Sequence, residues 1–379
     1  MGRSAGGDRM LLQRINTVAV LRALHTSRQM TLKELGEAAG VSRNTAEDAA
    51  LTLVGAGLAE EFVPQAEERP VGRPAKWYRF RSEYGHVVGV DLAVHEVNVL
   101  VTDLAGTERA RHHGPLDSRA SADERVRAAR EAIGSALDAA GIGGGQVLAV
   151  GAATSGIVGR DGRVSHSSRL SQTTGYPLAE NLAVLPGVPV LVGNDARLAT
   201  LAERWHGTGR EIDNFVNIVA GRYITSGIVL NGSVLQGAHG AAGEIGVLAE
   251  SRWQAALDAM DGWPEDRRST LRAAAAGDPG ARARIDELAA HLSVGIAALV
   301  LSVDPECVIL SGGLSRAGQT LLDPLQSYLD AKTLVPVPIL LSTLDHDAVA
   351  LGAVRLALDH VERELFDTDS ARLLAALAS

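Results

Sequence analysis

Five hydrogen-bonding side chains stand together where a helix is predicted to begin, shortly after Gly40. They are Ser42, Arg43, Asn44, Thr45 and Glu47. The alanine and leucine positions between and beyond them recur at helical spacing, so they predict the buried face and leave the polar side chains outward. Arginine pairs with guanine, asparagine pairs with adenine, and glutamate accepts from cytosine N4. The pattern predicts a helix whose N-terminal half meets base edges in the major groove of DNA.

The residues before this helix support the same interpretation. Thr31 and Glu34 have the capping-box spacing that begins a short helix, and Gly40 can end it in a left-handed conformation. Ser42 is then predicted to cap the following helix. Apolar residues at helical spacing over residues 9–24 predict a further helix upstream. The order predicts three helices with a helix-turn-helix at their end.

A hairpin is predicted to follow, and it closes over residues 71–80. It contains Arg73 and Lys76, and an arginine on so thin a loop can enter a narrow minor groove. Residues 1–81 are therefore predicted to form a winged helix-turn-helix DNA-binding domain. Two alternatives stay open: the segment could be a protein–protein module, and Arg73 could be a solvated wing residue.

Charge is distributed unevenly along the chain. Residues 1–81 carry a net charge of +3 and residues 82–379 carry −12, within a total of −9 over 379 residues. The basic excess coincides with the predicted DNA-binding segment, and an acidic body limits non-specific attachment to phosphate. The partner expected from this distribution is double-stranded DNA.

Cysteine content and hydropathy bound the cellular setting. Cys307 is the single cysteine, so neither an intrachain disulfide nor a multi-thiolate zinc site can form. The first residues lack the apolar core of a signal peptide, and no apolar run approaches the roughly 20 residues that span a bilayer. We expect a cytoplasmic protein with no membrane partner.

The remaining residues, 82–379, contain a strand and helix pattern that occurs twice. Each time, two β-rich runs form a predicted hairpin, and helices and further strands follow. The repeat predicts an α/β fold of two halves, roughly 82–195 and 196–379, with a cleft between them. Residues 253–280 carry no motif, whereas the residues after Glu364 have a helical pattern.

Three motifs of this body resemble those of the ROK family of repressors and sugar kinases. They are Gly193-Asn-Asp-Ala196, Gly240-Ala-Ala-Gly-Glu-Ile-Gly246 and Ile309-Leu-Ser-Gly-Gly313. Together with the predicted helix-turn-helix and wing, they follow the order found in ROK transcriptional regulators. The resemblance implies a duplicated actin/hexokinase-like (ribonuclease H-like) body that binds a sugar.

The resemblance also implies roles for particular residues. In ROK kinases the residue that matches Asp195 is the general base, Asn194 matches a residue that holds another hydroxyl, and Glu244 matches a carboxylate that binds the sugar. Arg169 lies near a sugar-contacting position and would favour an anionic ligand such as a sugar phosphate. The alternatives are that Asp195 is a helix N-cap, Glu244 a surface or hinge carboxylate, and Arg169 a solvated loop residue.

The chain departs from the kinase pattern at both phosphate loops. The family's Asp-x-Gly-Gly-Thr is here Asp91-Leu-Ala-Val-His95, and its second glycine-rich loop is Gly221-Arg-Tyr-Ile-Thr-Ser-Gly227. Phosphate cradles need backbone N–H groups close to the ligand, and bulky side chains obstruct them. The family's zinc-binding His and Cys residues are also missing, since Val247 follows Gly246. We therefore expect no catalysis, no metal and no cofactor.

The sequence thus predicts a DNA-binding repressor of carbohydrate uptake or metabolism whose body senses a sugar or sugar phosphate. A homodimer or homotetramer that reads an inverted-repeat operator is expected, because one recognition helix covers few base pairs. Two alternatives are a sugar kinase with an appended DNA-binding domain, and a regulator controlled by a protein partner instead of a sugar.

Overall fold

The computed structural model describes residues 5–64, 75–159, 161–167, 169–263, 267–344 and 347–378. Its N-terminal module consists of three helices and a small antiparallel sheet. The helices are α1 (Ala5–Ser27), α2 (Leu32–Ala39) and α3 (Arg43–Gly55). The strands are β1 (Gln29–Thr31), β2 (Ala59–Phe62) and β3 (Trp77–Phe80), in the order β1-β3-β2.

Local signals in the sequence explain where these helices begin and end. Thr31 and Glu34 form the predicted capping box at the start of α2, and Gly40 ends that helix with φ 67°. The Ser42 side chain accepts from the backbone N–H of Thr45 and caps α3. The caps are short-range interactions, so the sequence predicted all three of these boundaries.

The first sheet of the body has five strands, in the order β10-β7-β4-β5-β6. Its elements and the small strands beside it are β4 (His86–Leu92), β5 (Glu96–Asp103), β6 (Glu108–Pro115), α4 (Ala122–Ala140), β7 (Val147–Thr154), β8 (Ile157–Val158), β9 (Val164–His166), α5 (Leu178–Leu182), β10 (Val190–Asn194) and α6 (Asp195–His206). Strands β4, β5 and β6 form an antiparallel meander, and β7 and β10 continue the sheet in parallel.

The second sheet repeats this topology in the order β13-β12-β11-β14-β15. Its part of the chain comprises β11 (Phe215–Ala220), β12 (Ile224–Leu230), β13 (Ser233–Val234), α7 (Trp253–Asp261), α8 (Arg267–Ala275), α9 (Pro279–Val303), β14 (Cys307–Ser311), α10 (Gln319–Asp330), β15 (Ile339–Leu341), α11 (Ala348–Leu365) and α12 (Ala371–Ala378). Again a meander of three strands is followed by two parallel strands.

The two hairpins expected from the sequence are β4-β5 and β11-β12. The third strand of each meander, β6 and β13, was not predicted. Strand β6 carries charged and histidine side chains and lies at an exposed edge, so it lacks the apolar alternation that indicates a strand. An edge strand can tolerate such a composition because only one of its sides is paired.

Helix α11 follows the second sheet in sequence but packs on β4, β7 and α6 of the first. Glycines make this approach possible. A Cβ on Gly89 would lie 2.5 Å from the Ala350 carbonyl oxygen, and one on Gly151 would lie 2.0 Å from that of Ala353. A Cβ on Gly352 of α11 would lie 1.8 Å from the Leu198 carbonyl oxygen of α6. Helices α6 and α11 therefore touch backbone to backbone.

The N-terminal module shares a hydrophobic cluster with the body. The cluster joins buried residues of α1, α3 and β3 to α11 and α12, including Leu24, Leu53, Phe80, Leu365 and Leu373. The helical pattern after Glu364 corresponds to α12, which closes this junction. Because apolar contacts run continuously from the module into the body, the two are packed together rather than joined by a loose tether.

Among the described helices, α9 is long and apolar enough by composition to cross a membrane. Leu288, Leu292 and Ile296 of this helix are fully buried in the core of the second half. The buried side chains show a core helix of a globular fold.

Candidate functional site

The polar face of α3 is open to solvent. Arg43 and Asn44 are exposed in its first turn, and Thr45 and Glu47 are partly exposed beside them. The Ser42 hydroxyl lies 2.8 Å from the Thr45 hydroxyl and 3.2 Å from the Thr45 backbone nitrogen, so Ser42 is engaged as a cap. Four of the five predicted residues thus present side chains on one surface, while Ser42 positions the helix that carries them.

Glu47 and Lys76 bind each other. The Lys76 ammonium donates to Glu47 Oε1 at 2.6 Å, which links α3 to the base of β3. This hydrogen bond lowers the pKa of Glu47 and raises the pKa of Lys76. The two were predicted as separate DNA contacts, but in the structure each neutralises the other. Arg73 lies outside the described residues.

The four residues predicted to bind a ligand come together between the two sheets. Asn194 is the N-cap of α6: its Oδ1 accepts from the Arg197 backbone N–H at 2.9 Å. Its Nδ2 donates to the Gly156 carbonyl at 2.9 Å and faces Glu244 Oε1 at 3.3 Å. The capping role considered for Asp195 therefore belongs to Asn194. Since its amide is already engaged, Asn194 positions Glu244 more than it offers a free donor.

Asp195 and Glu244 form the acidic side of the cleft. Burial raises the pKa of Asp195, against the opposing effect of the Arg169 guanidinium. Burial, and then the neighbouring charge of Asp195, raise the pKa of Glu244, while Arg169 and Arg197 oppose that shift. Two carboxyl groups that share the neighbouring Arg169 guanidinium can accept hydrogen bonds from the hydroxyls of a polar ligand.

Arg169 crosses the cleft. It belongs to the first half of the body, and its guanidinium carbon lies 4.3 Å from the ring centre of Tyr223, which precedes β12 of the second half. This distance permits a cation–π contact. The solvated-loop alternative for Arg169 does not describe this position, because the side chain is half-buried between Tyr223 and the carboxylates.

The sequence reasoning missed Asp91 as a cleft residue. It lies at the end of β4, is 6% exposed, and receives a hydrogen bond from Asn98 Nδ2 at 3.3 Å. Burial, together with the charge of nearby Asp195, raises its pKa to about 7. Asp91 is the first residue of the altered phosphate-loop motif, whose missing glycines indicate the loss of a phosphate cradle but not a role for Asp91 itself. Its polarity within an apolar strand was the available signal.

A cavity of about 570 Å³ is lined by two of the four predicted ligand residues, Arg169 and Glu244, while Asn194 and Asp195 lie outside its lining. Its lining includes His95, Arg169, Tyr223, Glu244 and Trp253. A second cavity, of about 620 Å³, adjoins it through Arg222 and is lined in part by Gly221 and Gly313. The first volume falls within the usual range for small-molecule sites.

The residues at the second phosphate loop do not fit a phosphate cradle of the kinase type. Tyr223 places its ring under Arg169, where the family has a compact glycine-rich backbone. Val247 stands where the family resemblance places a zinc-binding His, and its side chain is 75% exposed. Nearby, Trp253 is buried, and its indole N–H donates to the Leu292 carbonyl at 3.2 Å. Among the described residues, no three His, Cys, Asp or Glu side chains are grouped to hold a metal.

Two kinds of known protein are similar to this chain: sugar kinases over part of it, and a transcriptional regulator over nearly all of it. A glucokinase of Halalkalibacterium halodurans is 32% identical over a 217-residue alignment that covers 47% of this chain and 66% of that enzyme. The DNA-binding transcriptional dual regulator NagC of Escherichia coli (strain K12) is 24% identical over 94% of this chain and 95% of its own. The similarity to the kinase thus covers less than half of the chain, whereas that to the regulator covers nearly all of it.

A solved structure agrees with the full-length comparison. The crystal structure of a ROK family transcriptional regulator, described as a homolog of the E. coli MLC protein, superposes with a TM-score of 0.73 at 21% identity. It covers 97% of this chain and 100% of its own, so the fold is shared throughout. The ROK family model itself matches residues 87–251 and 250–360. With the cleft motifs and the duplicated sheets already in place, these matches show that the chain belongs to the ROK family.

Proposed function

We propose that the chain is a DNA-binding transcriptional regulator, acting as a repressor, whose body senses a sugar or sugar phosphate. The observation that carries the proposal is the exposed polar face of α3, held by its Ser42 cap in front of a ROK body. A relative with regulator in its name matches over 94% of the chain, which supports the same function. The proposed domains are a winged helix-turn-helix at 1–81 and an actin/hexokinase-like body at 82–379.

In this proposal Arg43 and Asn44 contact base edges. Both are exposed at the N-terminal end of α3, and they have the hydrogen-bonding groups that distinguish guanine and adenine. Arg73 is proposed to enter the minor groove from the wing. The Glu47–Lys76 ion pair holds the wing base against α3, so Lys76 contributes to DNA binding by placing the wing. Two copies of the chain would read an inverted repeat.

The proposed effector binds between the two halves of the body. Asp195 and Glu244 would accept hydrogen bonds from sugar hydroxyls, and Asn194 keeps Glu244 in place. Arg169, with the exposed Arg222 and with His95 at the cavity wall, would attract an anionic group on the ligand. The combination suits a hydroxyl-rich ligand with one negatively charged substituent.

A sugar kinase remains the second candidate, and the cavity beside Gly221 and Gly313 favours it. Against it stand the ring of Tyr223 and the lost glycines of both loops. A coupled assay with ATP and a sugar panel tests this candidate. Turnover that disappears in Asp195→Asn would establish the kinase and reject our proposal of a non-catalytic body.

A thermal-shift panel of glucose, N-acetylglucosamine, xylose and their phosphates tests the sensor role. A ligand that binds the native state raises the apparent stability of the protein. We expect at least one sugar to do so in wild type and to lose its effect in Glu244→Gln. No shift with any member, together with normal DNA binding, would favour the third candidate, a regulator controlled by a protein partner.

A further inference from the structure

Helix α6 leads from the ligand cleft towards the N-terminal module. It begins with Asn194 as its cap and Asp195 as its first residue, both in the cleft. Trp205 lies near its other end, about 16 Å along the axis at the standard rise. Trp205 packs against the turn between β5 and β6, where a Cβ on Gly106 would lie 2.6 Å from the indole. A displacement at the cap therefore reaches Trp205 through one rigid element.

From Trp205 the contacts pass to α11. The Arg355 guanidinium lies 5.3 Å from the Trp205 ring centre and donates to Glu362 Oε2 at 2.7 Å. Arg355 also binds Asp359, with its Nε at 2.8 Å. The Arg355 side chain is 16% exposed, so it is largely removed from solvent. An ion pair in such surroundings is screened less by salt than a surface pair.

From α11 the contacts reach the N-terminal module. Glu362 Oε1 lies 3.7 Å from Nε2 of His25, near the end of α1. The His25 ring meets Phe80 of β3 edge-on at 5.1 Å and Phe366 at 5.4 Å. His25 thus contacts β3, the strand that follows the wing in the chain. We call four of these side chains the joint: Trp205, Arg355, Glu362 and His25.

We propose that the joint transmits a conformational change in the cleft to the DNA-binding module. This inference rests on the proposed function. Gly352 allows α11 to touch the α6 backbone, so little movement can be absorbed between these helices. A shift of α6 when a ligand enters then moves α11 and changes the orientation of α1 and β3. By linkage, DNA binding changes the affinity of the cleft for its ligand by the same factor.

The test uses a covalent surrogate ligand, so the identity of the natural effector is not needed. Arg169→Cys places a thiol in the cleft, and alkylation with pyrene maleimide fills it. The native Cys307 is 2% exposed, so the reagent has one accessible target. The DNA is a duplex that the wild-type chain selects from a random pool. We expect alkylation to change operator affinity at least fivefold, the lower end of usual allosteric factors.

The joint is then broken in the same background. In Trp205→Leu, and separately in Glu362→Gln, alkylation should change operator affinity by less than about twofold. Asp369→Asn is the matched control: it breaks the Arg14–Asp369 pair at 3.3 Å, which also holds α1 but lies outside the joint. That variant should keep the full response. An undiminished response in Glu362→Gln and Trp205→Leu, or no response in the intact joint, would overturn the proposal.

Amide hydrogen exchange separates this failure from failure of the proposed function. Exchange in residues 20–27 and in β3 should change on alkylation when the joint is intact and should stay unchanged in Glu362→Gln. If the chain selects no DNA, the regulator proposal fails, yet the exchange experiment still decides whether the cleft and module are coupled. Equal exchange responses in both backgrounds would contradict the coupling.

Discussion

The N-terminal module and the cleft use polar side chains in opposite ways. On α3, Arg43 and Asn44 extend into solvent, and no side chain among the described residues is hydrogen-bonded to either of them. In the cleft, Asn194, Glu244 and Arg169 already contact other protein groups. This exposed surface of the module is accessible to a macromolecular partner. A ligand of the cleft must instead displace or join existing contacts, so its binding can alter the protein around it.

This contrast fits the proposed function, in which one region of the chain binds DNA and another binds a small ligand. An exposed surface gains affinity from each phosphate and base contact without rearrangement. A cleft whose side chains hold each other couples ligand entry to movement, because new contacts compete with old ones. Four variants test the contrast, beginning with the largest expected effect.

Removing the exposed contacts of α3 should abolish selective DNA binding. In the double variant Arg43→Ala and Asn44→Ala, we expect operator affinity to fall about 100-fold or more, since each base contact contributes about 1–3 kcal/mol. Affinity is measured by titration at fixed salt. Arg163→Ala removes another exposed arginine, which pairs with Glu180 in the body, and should bind DNA like wild type. Equal affinity in the double variant would show that α3 is not the recognition helix.

Asp91 should make the free energy of unfolding depend on pH. Its pKa is raised to about 7 in the folded chain, so the protonated form is the one that folding favours. The stability it contributes is complete below pH 4 and is lost as the pH rises through 7. Asp91→Asn should therefore match wild type near pH 4 and become more stable by up to about 4 kcal/mol at pH 8.

Denaturant titration at several pH values measures this difference. Asp138→Asn, which removes an exposed carboxylate at the end of α4, is the control for the loss of one acidic side chain at the surface. A constant difference between Asp91→Asn and wild type across this range would contradict a buried, protonated Asp91.

Loss of one cleft carboxylate should weaken ligand binding without affecting the module. In Glu244→Gln, the affinity for the sugar that shifts the wild-type melting temperature most should fall about 10- to 100-fold, as expected when a charged hydrogen-bond acceptor is removed. Calorimetry measures the affinity. Glu250→Gln changes an exposed acid of the same segment and should bind normally. The reverse pattern would place the ligand elsewhere.

The smallest effect should come from the cap of α3. Ser42→Ala removes the acceptor for the Thr45 backbone N–H and should destabilise the chain by about 1 kcal/mol. Ser135→Ala, within α4, removes a hydroxyl that bonds the Glu131 carbonyl and should be neutral, since alanine favours helices. Thermal unfolding compares the two. If both behave alike, the cap does not stabilise α3.

The sequence predicted best what depends on neighbouring residues. The caps at Thr31 and Ser42 involve groups three residues apart, and both are in place. It predicted which residues meet in the cleft only through family motifs. Three contacts join residues that are 29 to 54 positions apart in the chain. They are the hydrogen bond from Asn194 to Gly156, the stacking of Arg169 over Tyr223 and the ion pair of Lys76 with Glu47. No periodicity encodes such contacts.

The assignment of α11 to the first half shows the same limit. Its apolar pattern predicted a helix but not the sheet on which it packs. Gly89, Gly151 and Gly352 allow the close approach, yet in the sequence each is one glycine among 41. The meaning of these glycines becomes clear only when the opposing backbone is known.

The most direct test of the account is selection of duplex DNA from a random pool by the purified full-length chain. The account predicts enrichment of one sequence with two inverted half-sites. The Arg43→Ala and Asn44→Ala double variant should fail to enrich it under the same salt. Enrichment of no sequence, or equal enrichment by the double variant, would contradict the claim that this ROK chain recognises DNA through α3.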